Sequence, residues 1–486
     1  MTIEARPVQH VDVCIIGAGP AGTALAIRLA QLGHDVCVVE RSMFPRSHIG
    51  ESLSPGIWPQ LDLLGVARTV AAARFWPCRT SLVQWEGDVA VRRDFGAIGG
   101  LLVDRGRFDA LLLDCARAHG VRVMQPAVVR TRTRDDQGWH LDVQSADRTC
   151  ALDADFLADA CGRSAVLRGR KQRAGPRTLA LYGYWHGGSL PHEPRIEAGR
   201  DAWYWGVPLP DGTFNAMVFL DAAEFRARRT RSLSATYHAL IGRSALMAGW
   251  RDVRLAGPVR AADATPYLDG DSIGPRSIKI GDAALALDPL SSSGVQKAIN
   301  TALTGAVVVN TMLRHPEDAD VASRFYTGNL AEASDRHRRW AAQHYAAAAA
   351  THPGRFWQPR AADADPEPMR ITASTGFGHG LPGDLAITLS PEAMLVPEPC
   401  IVGDFIAIKP ALHHPDLARP VAFLGGCEVA PLLRPLRPGM PLGALMDAWE
   451  IPIGSKAAIA SWLLKHRVLK RLHPCKQNQE GYCGEG

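Results

Sequence analysis

Apolar and polar positions near the N-terminus predict a strand, a helix and a second strand. Residues 11–17 read VDVCIIG, an Ala-rich stretch follows, and residues 34–40 read HDVCVVE. Continuous apolar runs of this length are typical of parallel strands that are buried on both faces. The turn GAGPAG before the helix contains Gly17, Gly19 and Gly22, so the backbone can turn tightly and the helix can pack closely on its strand.

A nucleotide site is predicted at this turn. A helix N-terminus binds phosphate through its free amides, and Glu40 ends the second strand where an acidic side chain accepts hydrogen bonds from a ribose. A glycine turn without a ligand is the alternative, but the strand, turn, helix and terminal Glu all agree. We therefore predict an adenine dinucleotide site, formed by Gly17, Gly19, Ala21, Gly22, Glu40 and Arg41.

The later pattern predicts one domain inserted into another. Residues 58–71 predict an amphipathic helix, and residues 128–144 predict a hairpin. Residues 178–220 are rich in aromatic and β-branched side chains and contain a Pro-Asp-Gly turn, which favours an antiparallel sheet. We predict an α/β fold in which a Rossmann-like dinucleotide-binding domain, residues 1–175 and 275–350, is interrupted by an antiparallel-sheet substrate domain, residues 176–274.

A Pro- and acid-rich connector, ADADPEP, precedes a predicted C-terminal α+β domain, residues 360–486. Its last part predicts two helices, with Ser455 as N-cap of the second. A winged-helix arrangement that binds DNA phosphates is one option for this domain, but a packed helix with a solvated basic edge is favoured. The basic residues concerned are Lys465, Arg467, Lys470 and Arg471.

Composition narrows the class of protein. The 486 residues carry a net charge of +5 and are 47% apolar and 21% charged, as in an ordinary soluble protein. No apolar run approaches the roughly 20 residues of a membrane helix, and no leader pattern opens the chain. We expect a cytoplasmic protein without membrane, nucleic-acid or metal partners, whose ten cysteines are reduced. For Cys475 and Cys483 in the polar tail, pairing or metal binding is the alternative to free thiols.

Two further motifs give the chain a family resemblance. Together with the glycine turn, DACGR at residues 159–163 and GDAALALDP at residues 281–289 resemble the FAD-dependent aromatic hydroxylase superfamily, which includes p-hydroxybenzoate hydroxylase and the flavin-dependent tryptophan halogenases. The resemblance implies that FAD is the cofactor and that Asp282 binds its ribityl chain. It also implies that Arg46 and Arg105 lie along the flavin and pyrophosphate. The other residues implied at the cofactor are Asp159, Pro289, Ser292, Ser293 and Gly294.

Each of these roles has an alternative. Asp282 in isolation would be a helix cap, and the two arginines would be solvated surface residues.

Within the superfamily, IGESLSPG, DPLSSSGV and WYWGVP resemble the halogenase branch. This resemblance implies an indole-sized cleft with Trp203 and Trp205 as substrate contacts, although core packing explains two strand indoles equally well. It also places His48 and Glu51 near the flavin. Either is a candidate base for the ring proton, and a structural role in the flavin loop is the favoured alternative.

One departure from the halogenase pattern changes the expected reaction. Halogenases hold the activated halogen on a lysine soon after the GES segment, whereas this chain has no lysine before Lys171. Arginine cannot replace that lysine, because it stays protonated. We therefore predict an FAD-dependent monooxygenase in which reduced flavin and molecular oxygen form a C4a-hydroperoxide that hydroxylates an aromatic ring. NAD(P)H would supply electrons directly or through a flavin reductase. Halogenation and small-molecule hydroxylation are the alternatives.

The predicted substrate is a tryptophan in a peptide or protein. The chain resembles flavin monooxygenases that hydroxylate a peptidyl tryptophan during tryptophylquinone cofactor biogenesis, since it shares the halogenase-like body, the missing lysine and a C-terminal extension. The C-terminal domain would supply a docking surface, and a lid or dimer contact is the alternative role for it. A distant alternative is a flavin redox sensor with a DNA-binding domain.

Overall fold

A computed structural model describes residues 9–146, 148–227, 232–247, 250–352, 354–364 and 381–472. The chain divides into two compact units, residues 1–369 and residues 370–486. Cys475, Cys483 and most of the predicted connector lie outside the described residues. Within the described ranges, every helix is too short or too polar to cross a bilayer.

A mixed, largely parallel sheet forms the centre of the first unit. The strand Gln9–Ile16 lies between Val36–Val39 and Arg148–Asp159, parallel to both, because these apolar runs bury both faces of the sheet. The predicted hairpin is confirmed and extends the sheet in antiparallel fashion. The remaining strands of this sheet are Arg122–Met124, Val128–Arg134, Trp139–Ser145, Ile273–Gly274 and Ser277–Lys279.

Helices cover this sheet. The predicted helix over residues 58–71 is instead two short helices, because Gly65 adopts a left-handed φ of +72° that ends the first one. The helices of the first unit are α1 (Pro20–Gln31), α2 (Ile57–Leu63), α3 (Ala67–Ala72), α4 (Arg105–Ala118), α5 (Ala222–Ala227), α6 (Leu233–Ile241), α7 (Gly294–Arg314), α8 (Ala319–Thr351) and α9 (Gln358–Ala361).

A second, mainly antiparallel sheet accompanies the central one, and the α/β fold class is confirmed. Two of its strands lie in residues 80–94, outside the residues 176–274 predicted for the substrate domain. We call this second sheet the substrate sheet. Its strands are Thr80–Gln84, Val91–Asp94, Thr178–Gly187, Arg195–Ala198, Trp203–Pro208, Phe214–Asp221, Val253–Leu255 and Arg260–Asp263. Two small sheets complete the unit, one formed by Ser52–Leu53, Trp76–Cys78 and Gly100–Leu102, the other by Lys171–Arg173, Tyr267–Asp269 and Leu285–Ala286.

An aromatic core packs on one face of the substrate sheet. Trp357 is fully buried there, with its ring centroid 5.6 Å from that of Trp85 and 6.0 Å from that of Tyr345. Trp357 also donates its indole N–H to the carbonyl of Arg200 (3.0 Å). The segment around Trp357 therefore belongs to the first unit, which extends to residue 369, directly after the connector ADADPEP.

The second unit is of α+β type. Its helices are α10 (Val429–Leu433), α11 (Leu442–Asp447) and α12 (Ile453–Lys465). Ser455 lies inside α12, whose N-cap is Pro452, so the predicted cap is wrong. The strands are Ala386–Leu389, Met394–Val402, Phe405–His413, Phe423–Leu424, Cys427–Glu428, Met440–Pro441 and Leu469–Arg471. Arg467 pairs with Asp416 at 2.5 Å and Lys470 with Glu392 at 3.5 Å, so two of the basic residues considered for DNA already have acidic partners.

Candidate active site

Several predicted site segments meet at the carboxyl edge of the central sheet. Ile16 lies opposite both Val39 and Asp159, and Asp159 lies opposite Lys279. The residues that follow these strands therefore come together at one edge. Ligands of open α/β sheets bind at this edge.

The glycine turn has the geometry that a dinucleotide requires. Gly17 has a φ of +103°, and a Cβ on it would lie 2.7 Å from the carbonyl oxygen of Ala160. A Cβ on Gly22 would lie 1.9 Å from the carbonyl oxygen of Gly17. Gly19 precedes α1, and among the described residues no side chain caps this helix, so its first amides remain available to a pyrophosphate. A Cβ on Gly281 would touch Ala21, which brings the Asp282 segment against the start of α1.

Glu40 is buried at the end of its strand. Its two carboxylate oxygens accept the amides of Ala18 (2.8 Å) and Ser42 (2.9 Å). Each oxygen keeps a second lone pair, so the carboxylate remains able to accept a ribose hydroxyl. Arg41 follows at an exposed position.

Asp159 serves the turn that follows its strand. One carboxylate oxygen accepts the amide of Cys161 (3.0 Å), the other accepts the amide of Leu167 (2.8 Å), and the side chain is buried. Asp159 therefore fixes the DACGR turn. The direct cofactor contact predicted for Asp159 stays a prediction.

The two predicted arginines lie in the site and neither is a solvated surface residue. Arg105, 5% exposed, forms a bidentate ion pair with Asp109 (3.0 and 3.1 Å) and donates to the carbonyl of Ile49 (2.7 Å). Arg46 lies beside the start of α1, where its Nη2 would be 3.7 Å from a Cβ on Gly19. The buried Nε of Arg46 has no partner among the described residues. An orphaned guanidinium N–H next to an uncapped helix start fits the pyrophosphate of FAD.

Asp282 lies within a short turn, Gly281–Ala283, and pairs with a lysine that the sequence did not suggest for the site. Its carboxylate is 2.5 Å from Lys297 Nζ and 3.8 Å from Arg163 Nε. Packing around Asp282 favours the neutral acid, but the charge and hydrogen bond of Lys297, together with the charge of Arg163, outweigh it and hold the pKa of Asp282 below its ordinary value. The ionised carboxylate is 39% exposed, so it can accept ribityl hydroxyls. Its role is thus not that of a helix cap.

The segment predicted to line the isoalloxazine ring forms the start of α7. Pro289–Ser291 is a 3-10 turn, Ser292 follows with a φ of +49°, and Ser293 precedes the helix without capping it through its side chain. Gly294 begins α7, a long helix whose positive dipole end favours negative charge on a bound ring. Gln296 in its first turn hydrogen-bonds Ser54, which ties the IGESLSPG loop to the same place. The described residues therefore fit FAD from its adenine end to its ring.

The two candidate bases differ in environment. Glu51 is only 2% exposed and accepts the hydroxyl of Tyr184 (2.7 Å), the amide of Gly50 (2.8 Å) and the side-chain N–H of Asn215 (3.0 Å). Burial raises the pKa of Glu51 even though these hydrogen bonds oppose the shift. His48 Nδ1 contacts the carbonyl of Ile49 (2.8 Å). Desolvation and the charge of Arg105 lower the pKa of His48, which favours a neutral ring.

Trp203 occupies a core position. It is 1% exposed, and its ring stacks on Phe219 with centroids 3.9 Å apart. A substrate contact for Trp203, as predicted, is not supported by this position, because its ring face is covered by protein. Trp205 belongs to the same apolar cluster and is also largely buried.

The comparisons with known proteins agree with this geometry. A family model for an FAD binding domain matches residues 10–179, and a model for tryptophan halogenase matches residues 99–376, more than half of the chain. Tryptophan 2-halogenase of Chondromyces crocatus is 31% identical over 345 residues, which cover 65% of this chain and 64% of that protein. The chain thus spans less than two thirds of that relative's length.

Two solved structures match nearly the whole chain. The flavin-dependent halogenase CmlS superposes with a TM-score of 0.77 at 22% identity, covering 96% of both chains. Peptidyl tryptophan dihydroxylase QhpG, described as essential for tryptophylquinone cofactor biogenesis, superposes with a TM-score of 0.69 at 29% identity, covering 94% of this chain and 99% of that one.

These matches define an FAD-binding protein of the halogenase-like α/β class. The chain belongs to the tryptophan halogenase family, whose members are FAD-dependent oxidoreductases. The predicted superfamily is thereby confirmed. The finer assignment to the peptidyl tryptophan hydroxylases is not shown, although one such protein is a structural neighbour.

Proposed function

We propose that this protein is an FAD-dependent enzyme that hydroxylates an electron-rich aromatic ring. Reduced FAD, when bound, supplies the activated oxygen. The chain's own part is to hold the cofactor at the carboxyl edge of the central sheet, through the uncapped start of α1, Arg46 and Asp282. The substrate sheet meets the IGESLSPG loop of that site through Tyr184 and Asn215, which both donate hydrogen bonds to Glu51.

The placement of the lysines carries the choice of hydroxylation. The first 369 residues contain Lys171, Lys279 and Lys297 as their only lysines. Lys171 donates to the carbonyl of Arg163 (2.7 Å), Lys279 is buried against Asp269 (2.9 Å), and Lys297 is buried against Asp282. Lys279 and Lys297 are buried ammonium groups paired with carboxylates, so neither has a free electron pair with which to hold an activated halogen. Lys171 is exposed and follows Glu51 by 120 residues (171 − 51), so it is not the lysine that halogenases carry soon after the GES segment. Direct oxygen transfer to the ring requires no such amine.

Halogenation is the second candidate, and the comparisons favour it over hydroxylation. The matching family model is that of tryptophan halogenase, and the curated relatives are halogenases. Our preference for hydroxylation therefore depends on the residues of this chain and runs against the names of its relatives.

The proposed substrate is a tryptophan held in a peptide or protein. Supporting this proposal, the structure described as peptidyl tryptophan dihydroxylase matches this chain over nearly its full length, including residues of the second unit. Molecular oxygen and NAD(P)H, acting directly or through a flavin reductase, would complete the reaction. The function of the second unit would then be to bind the polypeptide outside the cleft.

Product analysis tests this function. The full-length, FAD-loaded protein is reduced, mixed with oxygen and excess bromide, and supplied in parallel with free tryptophan and with a tryptophan-containing peptide. Hydroxylated peptide, without brominated product, is expected. Bromotryptophan as the main product would establish the second candidate instead. Efficient turnover of free tryptophan but not of the peptide would remove the polypeptide substrate while keeping the flavin chemistry.

A further inference from the structure

A polar trio interrupts the apolar face of the substrate sheet. Tyr184 lies directly opposite Asn215, and Asn215 lies opposite Val207, so Tyr184 and Asn215 share one face of the sheet with Val207. The next residues along that face are Tyr182, Met217 and Trp205. Glu51 is the third member of the trio: it comes from the loop that ends at the small sheet and accepts hydrogen bonds from Tyr184 and Asn215.

The geometry links a partly exposed hydroxyl to a buried carboxylate. The Tyr184 hydroxyl donates to Glu51 Oε1 over 2.7 Å, and Asn215 donates to the same oxygen over 3.0 Å. Glu51 and Asn215 are buried, whereas Tyr184 is only half-buried. Tyr184 is thus the member of the trio through which a group in the cleft can reach Glu51. The carboxylate itself is shielded from solvent.

We propose that Tyr184 and Glu51 form a proton relay that removes the proton from the substituted ring carbon, an inference that builds on the proposed function. After the new bond to oxygen forms, the ring carbon still carries its hydrogen. The C–H bond breaks, its electron pair restores the aromatic ring, and the proton passes to the Tyr184 oxygen. In the same step the hydroxyl proton of Tyr184 passes to Glu51, which becomes a neutral acid. No electron changes hands in this step, and the proton returns to solvent by the reverse route.

The surrounding charges suit a concerted transfer. Arg105 donates to the carbonyl of Ile49, which lies in the loop that carries Glu51, and His48 lies in the same loop. On the substrate sheet, Arg260 lies opposite Tyr182 on the adjacent strand, close enough for its charge to act on Tyr184. Burial and the carboxylate of Glu51 raise the pKa of Tyr184, so the phenol stays neutral and moves its proton only as it gains another.

An isotope measurement tests the relay. The probes are a peptide that contains tryptophan deuterated on the indole ring and free tryptophan deuterated in the same way, each compared with its unlabelled form. In the wild type, ring deprotonation is fast and deuteration leaves the rate unchanged. In Tyr184→Phe and Glu51→Gln, loss of the base slows the reaction by about 100-fold, and a normal primary isotope effect appears because C–H cleavage becomes limiting.

Tyr182→Phe is the matched control, since it removes the neighbouring hydroxyl on the same face. Its ring centroid is 6.2 Å from that of Tyr184, and no isotope effect is expected. If Tyr184→Phe and Glu51→Gln bind FAD and form product without an isotope effect, the relay is wrong. If the wild type modifies neither probe, the proposed function itself fails.

A measurement without substrate checks the carboxylate independently of turnover. In infrared pH titrations, the C=O band of protonated Glu51 should vanish in Glu51→Gln. In Tyr184→Phe it should appear at higher pH than in the wild type, because the carboxylate loses a donor. An unchanged titration in Tyr184→Phe would contradict the coupling between the two residues.

Discussion

Replacing Arg105 by Met tests the ion pair that holds the candidate base loop. Arg105 and Asp109 are both buried, with N–O distances of 3.0 and 3.1 Å, and Arg105 also donates to the carbonyl of Ile49. Removing one partner of a buried pair leaves an uncompensated charge and costs about 3–5 kcal/mol. Arg46 Nη2 remains 3.7 Å from Asp109 and compensates in part, so we expect a loss near the lower end, about 3 kcal/mol.

A double-mutant cycle separates two parts of this loss in stability: the cost of leaving the Asp109 carboxylate without its partner, and the cost of the packing lost with Arg105. Urea unfolding of Arg105→Met, Asp109→Asn and the double variant gives the free energy of unfolding of each. Because Asn carries no charge, the double variant should be more stable than the sum of the single losses predicts, by about 0.5–3 kcal/mol. Additive losses would refute the reasoning. The single Arg105→Met variant should also lose turnover, because the loop that carries Glu51 loses its anchor.

Three further predictions follow from particular residues. Gly22→Ala should abolish FAD retention, because the new Cβ would lie 1.9 Å from the Gly17 carbonyl oxygen. Gly328→Ala is the control, since Gly328 is also helical but has open space around it, and this variant should retain FAD. Equal retention of FAD in the two variants would contradict the turn geometry. Glu51→Gln should be more stable than the wild type at neutral pH. The pKa of Glu51 in the folded state lies above its ordinary value of 4.5, so the contribution of the neutral acid to the free energy of unfolding is lost as the pH rises from 4.5 through the folded-state pKa. Below pH 4.5 the difference in stability between Glu51→Gln and the wild type should vanish. Urea unfolding midpoints measured across this pH range test the prediction. Trp203→Ala should lower the free energy of unfolding by about 3–5 kcal/mol in the same assay, because Trp203 is buried. Trp76 is exposed, so Trp76→Ala should change the free energy of unfolding by only about 0.5 kcal/mol. Equal losses in the two variants would show that Trp203 is not a core residue.

The parts of the fold that depend on local pattern were predictable. The first strand, the glycine turn and the second strand follow from apolar periodicity and from glycine's access to positive φ, and Gly17 and Gly22 lie as that reasoning requires. Boundaries set by single residues were less predictable. Gly65 splits one predicted helix, and the N-cap of α12 is Pro452 rather than Ser455, so this helix begins two residues before the predicted cap.

The parts of the site that depend on strand register were not predictable. Tyr184 and Asn215 are 31 residues apart and meet only because their strands pair in one register. Asn215 gave a weak signal, since it is the one polar side chain inside the run FNAMVFL, but nothing local joins it to Glu51. The role of Lys297 was not predictable from the sequence either, because a turn and the start of a helix separate it from its partner Asp282. Such pairs are fixed by tertiary packing rather than by sequence pattern.

The central claim is that this chain has the body of a tryptophan halogenase but lacks the lysine that would hold the halogen soon after the GES segment, since its first lysine is Lys171. Its most direct test is a competition with the full-length, FAD-loaded protein, in which reduced enzyme, oxygen, excess bromide and a tryptophan-containing peptide react together and the peptide is analysed by mass spectrometry. The account predicts that oxygen is added to the tryptophan and that bromide leaves the product unchanged. A peptide carrying the isotope pattern of bromine would contradict it.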